Sequence, residues 1–261
     1  MLTLSPAVRK STNLILNFAE RESKARYKRS LLGWFWSFAN PATTVAVYSF
    51  AFGTVFGAQA PATDNGNAEN FGLFLFTGVV NGCMGWLLSV ADLRKKIYFP
   101  TETALLGGAV SNAIQTGLEA GVLLLIMAVL VNISWTAVFL PVALLFTMGF
   151  GLGLGFVFSV LNARYRDIQY LVGVLLNVGF FLVPIIYPLT QVPDEAYGLP
   201  AKALVEWSPP AVFVEIARDG VYFLQTPSAA KLLAGLGYAV VAFTIGWVYF
   251  RARSMEISEE P

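Results

Sequence analysis

Histidine is absent from the 261-residue sequence, and cysteine occurs once, at Cys83. Without histidine there is no imidazole to act as a general acid or base, to relay protons or to ligate a metal ion. A single cysteine cannot form a disulfide within the chain, so it does not indicate a redox compartment. These absences exclude histidine-based catalysis, histidine-ligated metals and an intrachain disulfide.

Charge is also scarce. Charged residues make up 13% of the sequence and hydrophobic residues 56%, whereas soluble domains carry roughly 25% charged residues. The 17 Lys and Arg and 16 Asp and Glu nearly cancel, so no overall attraction to nucleic acid is expected. So few charges cannot cover the surface of a soluble globule, which predicts an integral membrane protein. No apolar segment with a small-residue cleavage site follows Arg9 and Lys10, so no cleaved signal peptide is predicted.

Long apolar runs predict an all-α membrane fold. A helix needs about 20 mostly apolar residues to cross the hydrocarbon core. Six segments meet this length, at roughly 35–57, 71–91, 104–131, 136–161, 168–189 and 231–250. With alternating sides, 14 of the 17 basic residues fall on the side that contains both termini. Cytoplasmic loops are enriched in Lys and Arg, so both termini are predicted to be cytoplasmic.

Three stretches outside these spans are informative. Residues 12–29 predict an amphipathic interfacial helix with Leu14, Phe18 and Ala25 near one face, and the alternative is an ordinary basic flank of the first span. Residues 58–70 are small and polar, which is typical of a flexible outer loop. Residues 191–230 are too apolar for a solvated loop and too rich in proline for a span. They predict short re-entrant helices in the outer leaflet.

The spans contain little that could perform chemistry. Glu119 is the one carboxylate deep in a predicted span, and a single acidic group is weak support for an ion pathway over a hydrogen-bonded helix contact. No Gly-Lys-Ser/Thr phosphate-binding loop occurs, so another polypeptide must bind any ATP used. Small-residue spacing in the fourth span predicts close helix packing, within the chain or between subunits, at Gly149, Gly151, Gly153 and Gly155.

Four motifs occur in register with this topology. They are RESKARYKRSLLGWFW at 21–36 followed by Asn40-Pro41, KKIYFP at 95–100, NARYRDI at 162–168 and PIIYP at 184–188. Together they resemble type 2 ABC exporter permeases, in the branch that exports lipid-linked polysaccharides such as O-antigens, teichoic acids and cell-wall galactan. The resemblance covers essentially the whole chain. It implies a cytoplasmic N-terminus at 1–33, a six-helix transmembrane domain at 34–254 and a cytoplasmic tail at 255–261.

The resemblance also implies partners. The permease would be a homodimer docked on two separate cytoplasmic ATPase subunits, which bind ATP and Mg, with no cofactor on this chain. The loop after the second span would be the coupling helix that inserts into the ATPase, carried by Arg94, Lys95, Lys96, Tyr98, Phe99 and Pro100. The positive-inside rule accounts for the three basic residues in this loop but not for the aromatic pair or the proline.

A polyprenyl-diphosphate-linked glycan would need distinct surfaces for its parts. The diphosphate suits a basic cluster where the chain enters the membrane, at Arg26, Lys28 and Arg29. The sugars would slide along aromatic faces, for which the candidates are Trp34, Phe35, Trp36, Phe180, Phe181 and Tyr187. Anchoring at the membrane interface explains each of these aromatics equally well.

Two further motifs have implied positions. The cytoplasmic loop after the fourth span holds Arg164, Tyr165, Arg166 and Asp167, and an outer gate is implied at Trp207, Ser208, Pro209 and Pro210. The family commonly has Asn-Pro at this gate, but a serine can cap a helix start as asparagine does, and proline fits the first turn.

The predicted function is the permease subunit of an ATP-driven exporter in the bacterial inner or plasma membrane, and not an enzyme. Its cargo would be a polyprenyl-diphosphate-linked polysaccharide of the O-antigen, teichoic acid or galactan type. The alternatives are a permease of the same superfamily for a small drug or lipid, and a membrane enzyme acting on lipid-linked sugars. The enzyme is disfavoured because such chemistry needs several convergent ionisable groups.

Overall fold

The computed structural model describes residues 6–26, 28, 33–36, 39, 43, 101–129, 133–165, 167–184, 189–221 and 223–253. Within these ranges the regular structure is helical, apart from an isolated bridge between Ala196 and Leu199. The helices are α1 Pro6–Arg26, α2 Glu102–Val129, α3 Phe139–Arg164, α4 Ile168–Leu182, α5 Ala201–Glu206, α6 Pro209–Val221 and α7 Ala229–Arg253. Short 3₁₀ turns lie at Gly33–Phe35, Trp135–Val138 and Leu189–Gln191. The prediction of an all-α protein is therefore confirmed for the part of the chain described.

Two of the described segments are long and apolar enough to cross a membrane. They are Trp135–Arg164, which joins a 3₁₀ turn to α3, and α7, of 30 and 25 residues. They coincide with the predicted fourth and sixth spans. The 28-residue α2 occupies the place of the predicted third span, and its rise of 1.5 Å per residue makes it roughly 42 Å long. The predicted first and second spans and the loop at 58–70 lie almost entirely outside the described residues.

The helix at the fifth predicted span is shorter than expected. It begins at Ile168 as predicted but ends at Leu182 instead of continuing to 189. Val183 adopts an extended conformation, with φ −81° and ψ 133°. Because the residue before a proline is disfavoured in the helical region, Pro184 accounts for the termination. The PIIYP motif therefore begins where the helix stops, so a helix continuous to residue 189 is interrupted at Val183.

Two clusters of buried side chains define the two ends of the bundle. At one end Leu105 of α2, Phe156 and Val160 of α3 and Phe250 of α7 pack together. The basic residues Arg164, Arg251 and Arg253 close α3 and α7 at this end, which is called the basic end below. At the other end, called the α6 end, α6 packs on the opposite halves of α2 and α3. Helix α2 therefore runs away from the basic end, whereas α3 and α7 both run toward it.

Helices α3 and α7 are in backbone contact. A Cβ atom on Gly246 would collide with the backbone of Gly153, and one on Gly153 would collide with the backbone at Ala242. A Cβ on Gly149 would lie 3.3 Å from that of Ala239. Only glycine allows the approach between Gly153 and Gly246, and Gly149 is tightly packed, so the small-residue pattern of α3 serves packing within the chain at these positions.

Helix α1 packs lengthwise on the first half of α2. Leu14 and Phe18 lie against Ala104, and a Cβ on Gly107 would strike the Phe18 side chain. The Ser23 and Ser111 hydroxyls are hydrogen-bonded at 2.8 Å. The predicted helix at 12–29 is thus present as Pro6–Arg26, with proline in the first turn, where its missing N–H is not needed. Its apolar stripe faces α2.

One detail of the predicted stripe was wrong. Ala25 is exposed. Ala19, which is 4% exposed, fills the buried position in its place. An interfacial location of α1 in a membrane stays a prediction.

Candidate functional site

The predicted substrate-access residues lie at the C-terminal end of α1 and just beyond it. Arg26 is the last residue of the helix, and Lys28 is exposed, with its backbone N–H donating to the Ala25 carbonyl at 3.3 Å. Arg29 and the side chain of Arg26 lie outside the described residues. The structure therefore places the start of the basic cluster at the end of a helix that is anchored on α2.

Two predicted channel aromatics are exposed. A 3₁₀ turn at Gly33–Phe35 follows the basic cluster, with Gly33 at φ +49°, a conformation that favours glycine. Phe35 and Trp36 are 59% and 52% exposed. Phe180 and Phe181 lie in the last turn of α4. The side chains of Trp34, Phe180 and Phe181, and Tyr187 as a whole, lie outside the described residues, so the proposed aromatic path stays a prediction.

The predicted coupling residues, from Arg94 to Pro100, also lie outside the described residues. The chain is described again from Thr101, whose carbonyl accepts a hydrogen bond from the backbone N–H of Ala104 at 3.2 Å. Glu102 begins α2 and lies 3.8 Å from Arg251 in the last turn of α7. The residues that directly follow the predicted coupling segment are thus connected to both α1 and α7.

The cytoplasmic loop motif joins α3 to α4. The Arg164 guanidinium lies 5.5 Å from the centre of the Tyr165 ring, and both side chains are exposed, as is Asp167. Arg166 lies outside the described residues. The residue that organises the turn is Asn162, which is 1% exposed. Its Oδ1 accepts a hydrogen bond from the Gln169 backbone N–H at 3.1 Å and so satisfies a free donor in the first turn of α4.

The predicted outer gate connects α5 to α6. The Trp207 carbonyl accepts a hydrogen bond from the Tyr238 hydroxyl of α7 at 2.7 Å, and the indole ring is 43% exposed. Pro209 and Pro210 open α6, where free backbone N–H groups would have no partner within the helix. The Ser208 hydroxyl donates to the Val205 carbonyl at 2.8 Å. The Ser208 hydroxyl is therefore bonded to the end of α5, whereas the sequence predicted that it caps the start of α6.

Sequence reasoning missed a buried ion pair at the α6 end. The Lys231 ammonium of α7 lies 2.5 Å from a Glu215 carboxylate oxygen of α6, and the two side chains are 21% and 10% exposed. Glu215 lies in the predicted outer segment and Lys231 at the start of the predicted sixth span, but their pairing spans 16 positions and leaves no local signature. The available signal was Glu215 itself, a charge inside the apolar run AVFVEIA at 211–217.

Two further polar contacts hold α6. The Arg218 guanidinium donates to the Pro184 carbonyl just beyond α4 at 2.8 Å. The Thr136 hydroxyl, buried before α3, donates to the Gly220 carbonyl at 2.7 Å. Gly220 is required there, because a Cβ would lie 2.7 Å from the Thr136 carbonyl oxygen. Helix α6 is therefore attached to α3, α4 and α7 by side chains that the gate motif does not include.

Glu119 does not stand alone on α2. The Gln115 amide donates to its carboxylate at 2.8 Å, one helical turn earlier. This contact supports the structural interpretation of a hydrogen-bonded group over an ion pathway. On α1, the hydrogen bond and charge of Lys24 lower the pKa of Glu20 below its usual value. Among the described residues no group of three or more acidic or cysteine side chains is placed to hold a metal ion.

Known proteins resemble the chain along most of its length. It is 29% identical over 257 residues to the O-antigen export system permease protein RfbA of Myxococcus xanthus, which covers 94% of both chains. It is 26% identical over 217 residues to the protein of the same name from Klebsiella pneumoniae, covering 75% of this chain and 78% of that relative. The polysialic acid transport protein KpsM of Escherichia coli is 22% identical over 245 residues, covering 89% and 90%.

The family model described as ABC-2 type transporter matches residues 13–222. That range contains all four motifs and extends from α1 to the end of α6. The resemblance inferred from the motifs is confirmed, and the chain belongs to the ABC-2 type transporter family.

Proposed function

We propose that the chain is the permease subunit of an ATP-driven exporter that moves a polyprenyl-diphosphate-linked polysaccharide of the O-antigen type out of the cytoplasm. The observation that carries this proposal is the 94% two-way coverage by a relative named for O-antigen export. A relative named for polysialic acid transport supports a polysaccharide cargo over a small drug or lipid. The teichoic acid and galactan branches are secondary candidates, because neither is named among these relatives.

The proposed topology has six spans with the basic end in the cytoplasm. Arg164, Arg251 and Arg253 close α3 and α7 at that end, as the positive-inside rule requires of cytoplasmic segments. The α6 end then faces outward, and α5 and α6 form the re-entrant pair that closes the channel there. Two copies of the chain would enclose the channel, with one ATPase subunit docked on each.

The proposed energy coupling runs through α2. ATP and Mg are held by the partner ATPase, and the segment from Arg94 to Pro100 inserts into a groove on it. Because α2 begins at Glu102 and carries α1 along its first half, movement of that segment would displace α1 as well. The basic residues at the end of α1 would then shift with the diphosphate that they bind.

Export in cells tests the cargo. Deleting the gene is expected to remove the polysaccharide from the cell surface and leave it inside, as measured by gel profiles of surface and intracellular glycan. Plasmid-borne wild-type protein restores export. An unchanged surface polysaccharide in the deletion strain, together with altered efflux of a small drug, would favour the alternative permease. Turnover of a lipid-linked sugar by the purified chain without an ATPase would favour the enzyme.

The basic cluster is tested by the triple variant Arg26→Gln, Lys28→Gln and Arg29→Gln. Loss of the charges that pair with the diphosphate is expected to reduce export about tenfold or more, because hydrogen bonds to charged groups contribute about 1.5–3 kcal/mol each. The matched control is Lys10→Gln with Arg21→Gln, which removes two exposed charges from the same helix outside the cluster. Normal export by the triple variant at normal protein levels would contradict the assignment.

The coupling segment is tested by Tyr98→Ala with Phe99→Ala. Removal of the two rings is expected to separate ATP hydrolysis from transport, so that ATPase activity in the reconstituted complex no longer responds to substrate. Lys95→Gln with Lys96→Gln is the control for charge alone. Full substrate-stimulated ATPase activity and full export by the aromatic variant would contradict the assignment of this segment to coupling.

A further inference from the structure

A two-residue turn projects from the segment between α4 and α5. Ala196 and Leu199 exchange both backbone hydrogen bonds, each at 3.0 Å, around Tyr197 and Gly198. Both central residues have positive φ, at 54° for Tyr197 and 75° for Gly198. A turn of this type favours Asn-Gly or Gly-Gly, because asparagine and glycine tolerate positive φ. Gly198 meets that preference and Tyr197 does not.

Burial does not compensate for the strain at Tyr197. Its side chain is fully exposed, so no described part of the protein packs on the ring. A bulky residue in the left-handed region costs on the order of 1–3 kcal/mol, and such residues persist where the site needs them. Neither turn formation nor core packing therefore explains a tyrosine at this position.

The surroundings of the turn are acidic and partly apolar. Residues 189–206 contain Asp194, Glu195 and Glu206 and one cation, Lys202, which pairs with Asp194 at 3.1 Å. Leu199, the last residue of the turn, is also exposed. The turn therefore lacks the cluster of basic residues by which segments bind anionic headgroups. Carboxylates accept hydrogen bonds from hydroxyl groups, and an aromatic face binds the apolar face of a sugar ring.

We propose that the Tyr197 turn is a sugar-binding contact, on which neutral sugar residues of the exported glycan stack as they leave the channel. The contact rests on the proposed function, whose six-span topology places residues 191–230 on the outer side of the membrane. The ring supplies the stacking surface, and Asp194 and Glu195 accept hydroxyl hydrogen bonds. The fixed turn holds the ring away from the protein, so the passing glycan meets it without competing side chains.

The test uses variants of Tyr197 in a strain that lacks the chromosomal gene. Tyr197→Asn is expected to fold normally, because asparagine suits the positive φ, and to reduce surface polysaccharide about three- to tenfold through loss of stacking. Tyr197→Phe keeps the ring and is expected to export normally. Leu199→Asn, which changes an exposed apolar residue of the same turn, is expected to have little effect.

Photo-crosslinking identifies what the ring touches. The photoreactive residue p-benzoylphenylalanine at position 197 is expected to form adducts with the host surface polysaccharide, detected by antiserum, and to lose them in a strain that cannot synthesise it. Adducts with phospholipid alone would identify a membrane anchor and overturn the proposal. Normal export by Tyr197→Asn, where deletion of the gene abolishes export, would overturn this contact alone. Unchanged surface polysaccharide on deletion would overturn the proposed function as well.

Discussion

Helices α4 and α6 are similar in length but have opposite surroundings. The outward face of α4 is apolar and exposed, with Tyr170, Val174 and Val178 all more than half exposed. Helix α6 carries Glu215, Arg218 and Asp219, yet every residue from Ala211 to Ala217 is buried. In a membrane protein, apolar side chains can face lipid while polar groups must find partners inside. Hydropathy alone would therefore assign the wrong helix to the interior.

The largest expected effect comes from breaking the ion pair of α6. Lys231→Met leaves the Glu215 carboxylate buried without its cation, which is expected to lower the free energy of unfolding by about 3–5 kcal/mol. Thermal unfolding of the detergent-solubilised protein, followed by intrinsic fluorescence, measures the loss. The control is Lys202→Met, whose pair with Asp194 is exposed and is expected to contribute about 0–1 kcal/mol. Equal destabilisation by both variants would remove the distinction between these pairs.

A smaller effect is expected from truncating an apolar side chain in each helix. Ile216 is fully buried against α2 and α3, so Ile216→Ala is expected to cost about 3 kcal/mol of stability. Leu175 of α4 is 55% exposed, and Leu175→Ala is expected to cost well under about 1 kcal/mol because it leaves no cavity. Unfolding in detergent compares the two. A large loss for Leu175→Ala would indicate that another protein surface covers α4.

The smallest effect is expected from single hydrogen bonds. Thr136→Val keeps the side-chain shape but leaves the Gly220 carbonyl of α6 without its donor, at an expected cost of about 1–2 kcal/mol. Asn177→Leu removes the amide that donates to the Gly173 carbonyl on the exposed side of α4, and no measurable loss is expected. Proteolysis rates of the folded protein compare the two variants. Similar rates would show that α6 does not depend on this bond.

Patterns of apolar residues predicted the helices better than their ends. The starts of α2 and α4 agree with the sequence to within two residues, because the apolar runs begin there. Leu182 ends α4 because of Pro184, a local effect that the apolar run through residue 189 conceals. The small residues of α3 correctly indicated a close helix contact, but the partner helix could be identified only in three dimensions.

The candidate site was less predictable than the fold. Motifs drew attention to Trp207 and Pro209, which lie at the junction of α5 and α6, but the side chains that attach α6 lie outside those motifs. Glu215 contacts a residue 16 positions away, and Arg218 contacts a carbonyl 34 positions away. Such pairs depend on how helices are arranged, and no periodicity in the sequence encodes them.

The backbone contact between Gly153 and Gly246 has a mechanical consequence. Interlocked backbones without intervening side chains cannot slide or rotate past one another without collision. Helices α3 and α7 therefore form a fixed frame for the rest of the subunit. Any movement that opens a path through the protein must come from the elements packed on that frame, which include α2, α4 and α6.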